Sequence, residues 1–296
     1  MATTTTYNFT TEDIEYLRRG DKALLVRLYR PEGSGPFPAM VELHGGAWNN
    51  GDRTLEKNRH EALVKTGVVV AAFDFRQGSE GAYPAMMADV NYGVRWLKAH
   101  ARELKTRPDL VGISGQSSGG HVAMLAAMRP HDPRYAATPL PSGSQEVDAS
   151  VRCVVMSWPV INPLGRYRHA KRVQATQSWA ADIVASHDRF WGSEANMSEA
   201  SPTLALERGE KVALPPALWL QTPGDQHHDY HDEDASTKLT EAPRFEALYR
   251  KAGGDITLQY FDAPQRFTST APTSPEAIRA FEMIAAFVHK HIPVER

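Results

Sequence analysis

From Phe37 onward, short apolar runs alternate with amphipathic segments along the chain. FPAMVELHG, starting at Phe37, predicts a buried strand, RTLEKNRHEALVKTG a helix closed by Gly67, and VVVAAFDFR a second buried strand. PAMMADVNYGVRWLKAHARELK predicts a long helix with Met86, Val90, Val94, Trp96 and Leu97 roughly on one face. PDLVGISG, DASVRCVVMSWPVI, PPALWLQTPGD and DITLQYFD predict four more strands. SGGHVAMLAAM and the closing SPEAIRAFEMIAAFVHKHI predict helices. Upstream, IEYLRRG and ALLVRLYRP predict an antiparallel leading pair. Near-continuous apolar strands separated by helices imply an α/β architecture: a mostly parallel central sheet with helices on both faces, in one domain spanning residues 1–296. Between Pro159 and Leu214 the rhythm breaks into a stretch rich in Trp, Arg and His. Residues of about 160–210, together with the N-terminal 1–20, are expected to form a helical cap over the carboxyl end of the sheet. TPLPSGSQEVD, from Thr138 to Asp148, predicts a surface loop, and the one low-complexity tract is Thr3 to Thr6.

Composition narrows the function classes. Hydrophobic residues make up 42% of the 296 positions, enough for a full core. With 33 Lys and Arg against 35 Asp and Glu, the formal charge is −2, which gives no attraction toward nucleic acid or an anionic membrane surface. No apolar run approaches the roughly 18 residues of a membrane span. The single Cys153, inside VRCVVM, excludes a disulfide within the chain. MATTTTYNFTTED has neither a basic n-region nor an apolar h-region, so a signal peptide is not expected and a cytoplasmic protein is. A P-loop, a dinucleotide fingerprint and a CxxC pair are all missing, so no cofactor is implied.

The chemistry concentrates in two glycine-rich turns. GISGQSSGGH holds Gly115-Gln116-Ser117-Ser118-Gly119, a G-x-S-x-G between a predicted strand and a predicted helix. In that context the pentapeptide is a candidate nucleophile elbow: glycines would permit the tight turn and lift the Ser117 hydroxyl to the helix N-terminus. HGGAWNNGDR, at the end of the first buried strand, lets Gly45 and Gly46 turn backbone N–H groups toward one point. With the N–H of Ser118 these would hold a developing oxyanion.

These motifs, in this order, resemble the α/β-hydrolase fold, and within it the hormone-sensitive-lipase-like esterases with an H-G-G-x-W motif. The resemblance runs over nearly all of the chain and includes FDFRQGSEGAYPAMMADVNYGVRWLKAHA and FWGSEANMSEASPTLALERGE. It implies hydrolysis of a small carboxylic ester, or less readily an amide, with Ser117 as nucleophile and no cofactor; a homodimer is also entertained. It places the triad acid in ALWLQTPGDQHHD at Asp225, although Thr222 stands where the family has a glycine, with Asp229 as the runner-up.

The family's histidine stands two residues before an aromatic, in a P-H-x-F loop after the last strand. Here that loop reads Pro264-Gln265-Arg266-Phe267. A glutamine amide has no usable pKa near neutrality and cannot take the serine proton. His227, His228 and His231 share the loop of Asp225, and reaching Ser117 while Asp225 orients them is expected to be awkward. The favoured expectation is therefore an esterase crippled by exchange of the triad histidine for Gln265. The alternative is a protein that binds a small molecule in the hydrolase pocket without turnover, as the plant gibberellin receptors of similar fold do.

Three further features carry weaker signals. HHDYHDED, from His227 to Asp234, has metal-like composition with His227 and His231 four apart, yet reads as a polar loop. RYRHAKR, from Arg166 to Arg172, could favour an anionic substrate, with a solvated helix face the better reading. Trp48, Trp158, Trp179 and Trp191 are candidates for lining an acyl or aryl pocket, or else for anchoring the cap.

Overall fold

All eight predicted extended segments join a single sheet. The structure, a computed structural model, describes residues 6–294. Its strands are β1 (Phe9–Arg19), β2 (Lys22–Pro31), β3 (Ala39–Leu43), β4 (Val69–Phe73), β5 (Val111–Gln116), β6 (Val154–Ser157), β7 (Ala217–Gln221) and β8 (Ile256–Tyr260). Their order across the sheet is β1-β2-β4-β3-β5-β6-β7-β8, antiparallel over the first three and parallel from β4 to β8. Every residue of β3 to β7 is buried, as strands covered on both faces must be.

Helices cover both faces. On one lie α2 (Ala85–Ala99) and α3 (Ser118–Met128); on the other, α1 (Lys57–Val64) and the closing α10 (Pro275–His291). The long predicted helix ends at Ala99, short of the predicted Lys105. The insertion folds as α4 (Pro163–Val173), α5 (Ala180–Trp191), α6 (Glu194–Glu199) and α7 (Pro202–Glu207). Asn162, Ser193 and Ser201 cap α4, α6 and α7 by accepting from the backbone N–H three residues on, with proline in the first turn of α4 and α7. These helices rest on the carboxyl end of the sheet. Asn49 Nδ2 donates to Ser186 O at 2.9 Å, and His121 Nε2 meets Ala200 O at 2.9 Å. The helix α8 (Glu241–Lys251), between β7 and β8, was not foreseen: Pro243 and five charged residues blur its apolar face, which Ala242, Phe245 and Tyr249 nevertheless bury. The four-residue α9 (Phe267–Thr270) follows β8.

The N-terminal part of the expected cap needs correcting. Residues 9–19 form the edge strand β1, paired with β2 from Phe9↔Pro31 to Arg19↔Lys22 with a register shift at Tyr16, between Glu15 and Leu17. Tyr16 is buried and Glu12, Asp13 and Glu15 are exposed, with Arg30 and Arg27 of β2 pairing with the first two. That charge blunts the exposed edge. Residues 1–5, and with them most of the Thr3–Thr6 tract, lie outside the described residues. Among the described residues, no helix is long and apolar enough to cross a membrane.

Candidate active site

Parallel pairing aligns Leu43 of β3 with Gly115 of β5, so the loops leaving the two strands meet. The glycines there answer to backbone, not to flexibility alone. A Cβ on Gly119 would come within 2.3 Å of Leu43 O and 2.4 Å of His44 O, and one on Gly115 within 2.3 Å of Gly119 O. On Gly45 it would sit 3.2 Å from Gln116 O and 3.4 Å from Ser117 Cβ. The oxyanion candidates Gly45 and Ser118 thus flank Ser117 directly. Gly46, at φ 112°, turns the loop where a Cβ would strike Asn50 O. Ser117 itself has φ 51° and ψ −121°, outside the regions that L-residues prefer, and caps α3. The elbow is held by Ser117 N donating to Ser157 O at 2.9 Å and Val160 N donating to Ser117 O at 3.1 Å. The strain raises the hydroxyl above the sheet at the positive end of an eleven-residue helix.

The candidate acid and the candidate base come from one loop. After β7, the chain makes a helical turn in which His228 N and Asp229 N donate to Asp225 O at 3.2 and 2.8 Å. One such turn puts residues three apart on the same face. Asp225 and His228 therefore meet side by side, with His228 Nδ1 2.8 Å from Asp225 Oδ2. The other ring nitrogen, Nε2, lies 3.0 Å from Ser117 Oγ. The expectation that reaching Ser117 while oriented by Asp225 would be awkward for these loop histidines is overturned by this turn. Strand order adds a reason. Neighbouring strands lie roughly 4.8 Å apart, and β7 is one strand nearer to β5 than β8 is.

Gln265 has a different part from the one expected. Its Nε2 donates to Asp225 Oδ1 at 2.6 Å. Asp225 is 1% exposed, and its carboxylate collects four donors: His228 and Gln221 on Oδ2, the His227 N–H and Gln265 on Oδ1. Burial works to raise its pKa, but the attraction and hydrogen bond of His228 and the His227 N–H outweigh it and hold the carboxyl below its ordinary value. Gln265 thus fills one acceptor site on the acid and leaves the serine to His228. The runner-up Asp229 is engaged elsewhere, accepting from Ala242 N at 3.0 Å and Tyr260 Oη at 2.6 Å.

Other sequence candidates fall outside the site. Trp48 is buried, stacked on Phe190 with ring centroids 5.6 Å apart and edge-on to Trp191 at 5.2 Å, and its Nε1 donates to His121 Nδ1 at 3.2 Å. Trp158 is buried in the opposite core layer, 5.7 Å from Phe267. Neither offers a face to substrate, and Trp48 and Trp191 anchor the insertion instead. Trp179 alone of the tryptophans named is half-buried, edge-on to His227 at 4.5 Å. His44 stacks on Phe75 and bonds its own loop at Gly45 O. His231 is turned to Thr237 O, away from His227. Among the described residues, no three His, Cys, Asp or Glu converge as metal ligands. His228 is the residue that sequence reasoning named but set aside; its signal was its place three residues after Asp225.

Comparison with known proteins agrees with this arrangement of strands and loops. A family model described as BD-FAE matches residues 26–223, more than half of the chain. The probable carboxylic ester hydrolase LipM of Mycobacterium tuberculosis is 32% identical over 123 residues, 41% of this chain and 27% of that protein. Esterase LipC of the same organism is 30% identical over 138 residues, 46% of this chain and 33% of that one. The chain thus spans about a third or less of the length of these relatives. Among solved structures, the thermostable carboxylesterase EstE1 from a metagenomic library superposes with a TM-score of 0.73 at 20% identity, covering 97% of this chain and 91% of that one. Thermogutta terrifontis esterase 2, phosphorylated by paraoxon, superposes at 0.71 with 21% identity over 96% of each chain. The fold is that of the α/β-hydrolases.

Proposed function

Since the chain belongs to the BD-FAE family, we propose that it is a serine carboxylic-ester hydrolase whose catalytic base is His228. The observation that carries this reading is the continuous chain Asp225 Oδ2–His228 Nδ1 at 2.8 Å and His228 Nε2–Ser117 Oγ at 3.0 Å. In this reading the His228 imidazole takes the Ser117 proton as the hydroxyl oxygen attacks the ester carbonyl. Asp225 fixes the tautomer with Nδ1 protonated and stabilises the imidazolium that forms. The N–H groups of Gly45, Gly46 and Ser118 receive the oxyanion. His228 then passes its proton to the leaving alcohol, and a water molecule, deprotonated by the same ring, releases the acid from Ser117.

The reading of a disarmed enzyme, or of a binder without turnover, rested on the absence of a base at Gln265. With an imidazole already between Ser117 and Asp225, that ground is gone. The names of the relatives, carboxylic ester hydrolases and esterases, support the ester as substrate. A diethylphosphoryl probe tests the nucleophile directly. Intact-mass analysis should find one adduct, on Ser117, formed rapidly by the wild-type protein and by Gln265→Ala, and at least a hundredfold more slowly by His228→Ala. Equal labelling rates in wild type and His228→Ala would defeat the assignment of the base, and no labelling of the wild type would defeat the assignment of the nucleophile.

A further inference from the structure

The basic run RYRHAKR divides into two kinds of cation. Arg168 gives its Nε and Nη2 to Glu194 and its Nη1 to Asp234, and Arg172 pairs with Glu233 and Asp234. These form the outer, solvated face. Arg166 turns inward and is 4% exposed. Its Nε and Nη1 are buried and meet no hydrogen-bond partner among the described residues.

Arg166 lies against the loop that carries the acid and the base. The groups whose charge it feels are Tyr230 and Asp225, and its own charge acts on His227 and His187. None of these serves as its counter-ion. The Asp225 carboxylate is filled by its four donors, and Tyr230 Oη donates to Asn162 O at 3.0 Å. Burial pushes the guanidinium down to about 10, which still leaves it cationic at neutral pH. Removing one partner from a buried ion pair is strongly unfavourable, so a buried guanidinium whose donors go unused points to a partner from outside the chain. Arginine suits a carboxylate, which it can hold through two parallel N–H donors.

We propose that Arg166 is the counter-ion of a carboxylate carried by the substrate, so that the preferred substrates are esters bearing a second, free acid group. The proposal rests on the reading of Ser117, His228 and Asp225 as a hydrolytic centre, and it names the substrate class of that centre. The geometry fits it: α4 leaves β6 four residues after Pro159, which touches Gly120 beside the elbow, so Arg166 stands over the same end of the sheet as Ser117.

The test compares mono-4-nitrophenyl adipate with its methyl ester, a pair differing in one negative charge remote from the scissile bond. The wild-type protein should prefer the acid, and Arg166→Gln should lower the acid-to-neutral ratio of kcat/KM by about tenfold or more, as expected for loss of one buried charge partner. Arg166→Lys should retain part of the preference. The thermal midpoint of Arg166→Gln should not fall, because an unpaired buried charge has been removed. A ratio unchanged in Arg166→Gln, or a wild type that prefers the neutral ester, would overturn the proposal. Should Arg166→Gln fail to fold, the ratio in Arg166→Lys and Arg166→Met decides. Binding is read separately, as stabilisation of Ser117→Ala by glutarate. If wild type cleaves neither ester yet glutarate stabilises Ser117→Ala and not Ser117→Ala with Arg166→Gln, the hydrolytic reading fails and the carboxylate site stands.

Discussion

The two sides of the site are built on different rules. On the nucleophile side, the loops after β3 and β5 interlock backbone to backbone: Gly119 against Leu43 O and His44 O, Gly45 against Gln116 O. Side-chain identity there is dictated by space, and the strained Ser117 is the product of that packing. On the acid–base side, the contacts run from side chain to side chain, between Asp225, His228, Gln265 and Gln221. Such contacts can be re-sorted among loops without disturbing the sheet. The comparison explains how an imidazole from the β7 loop can stand where the family brings one from the β8 loop, while the elbow stays as it is.

The largest expected effect separates the two loops of the acid–base side. His228→Ala should lower kcat for a short-chain 4-nitrophenyl ester by about 10⁴- to 10⁶-fold, the scale of a lost triad base, with KM changed little. Gln265→Ala removes one hydrogen bond to a charged acceptor, worth about 1.5–3 kcal/mol, so its loss should stay within roughly 10- to 150-fold. Steady-state kinetics on the two variants check the order. If Gln265→Ala costs more than His228→Ala, the division of labour between the loops is wrong.

A second prediction concerns acid, and it attacks the nucleophile side through its anchor. Trp48 leaves the β3 loop and is gripped by His121 and His187, both buried. Burial pushes the His121 imidazole down to about 4 and lowers that of His187 well below its ordinary value. In the unfolded chain these rings titrate near 6.5. Between about pH 6.5 and 4 the unfolded state therefore binds protons that the folded state refuses. The stability they confer is complete above about 6.5 and is lost as pH falls toward 4. For His121 alone the loss is on the order of 3 kcal/mol. Thermal midpoints from pH 8 to 4 should fall along this limb, and His121→Gln should flatten it. A limb unchanged in His121→Gln would remove His121 as its source.

The same division shows what could be read from the sequence. The inner strands β3 to β7 were legible because each is a short apolar run, and burial on both faces leaves no other pattern possible. The elbow and the Gly45-Gly46 turn were legible because steric demand writes glycine into fixed places. The candidate base was not, since a histidine three residues after an acid looks like loop composition until a helical turn brings them to one face. Trp48 and Trp158 misled for a related reason: an indole near a motif is as good an anchor as a pocket wall, and only burial distinguishes the two. The edge strand β1 carried a true alternation, Ile14, Tyr16 and the outward acids, that fits a sheet and not a cap.

The smallest effect is the most telling about Gln265. If this position were an emptied base site, Gln265→His would restore a missing group and raise kcat by many powers of ten. In the geometry described, Asp225 already bonds His228, and the Gln265 amide donates to Asp225 Oδ1. A histidine there can offer one ring N–H to that oxygen, much as the amide does, and it enters competition with an imidazole already seated on Ser117. Gln265→His should therefore leave kcat/KM within about threefold of wild type, since one charge-assisted hydrogen bond replaces another. A gain of about 10³-fold in Gln265→His, retained when His228→Ala is added, would return the base to the β8 loop and make His228 a bystander.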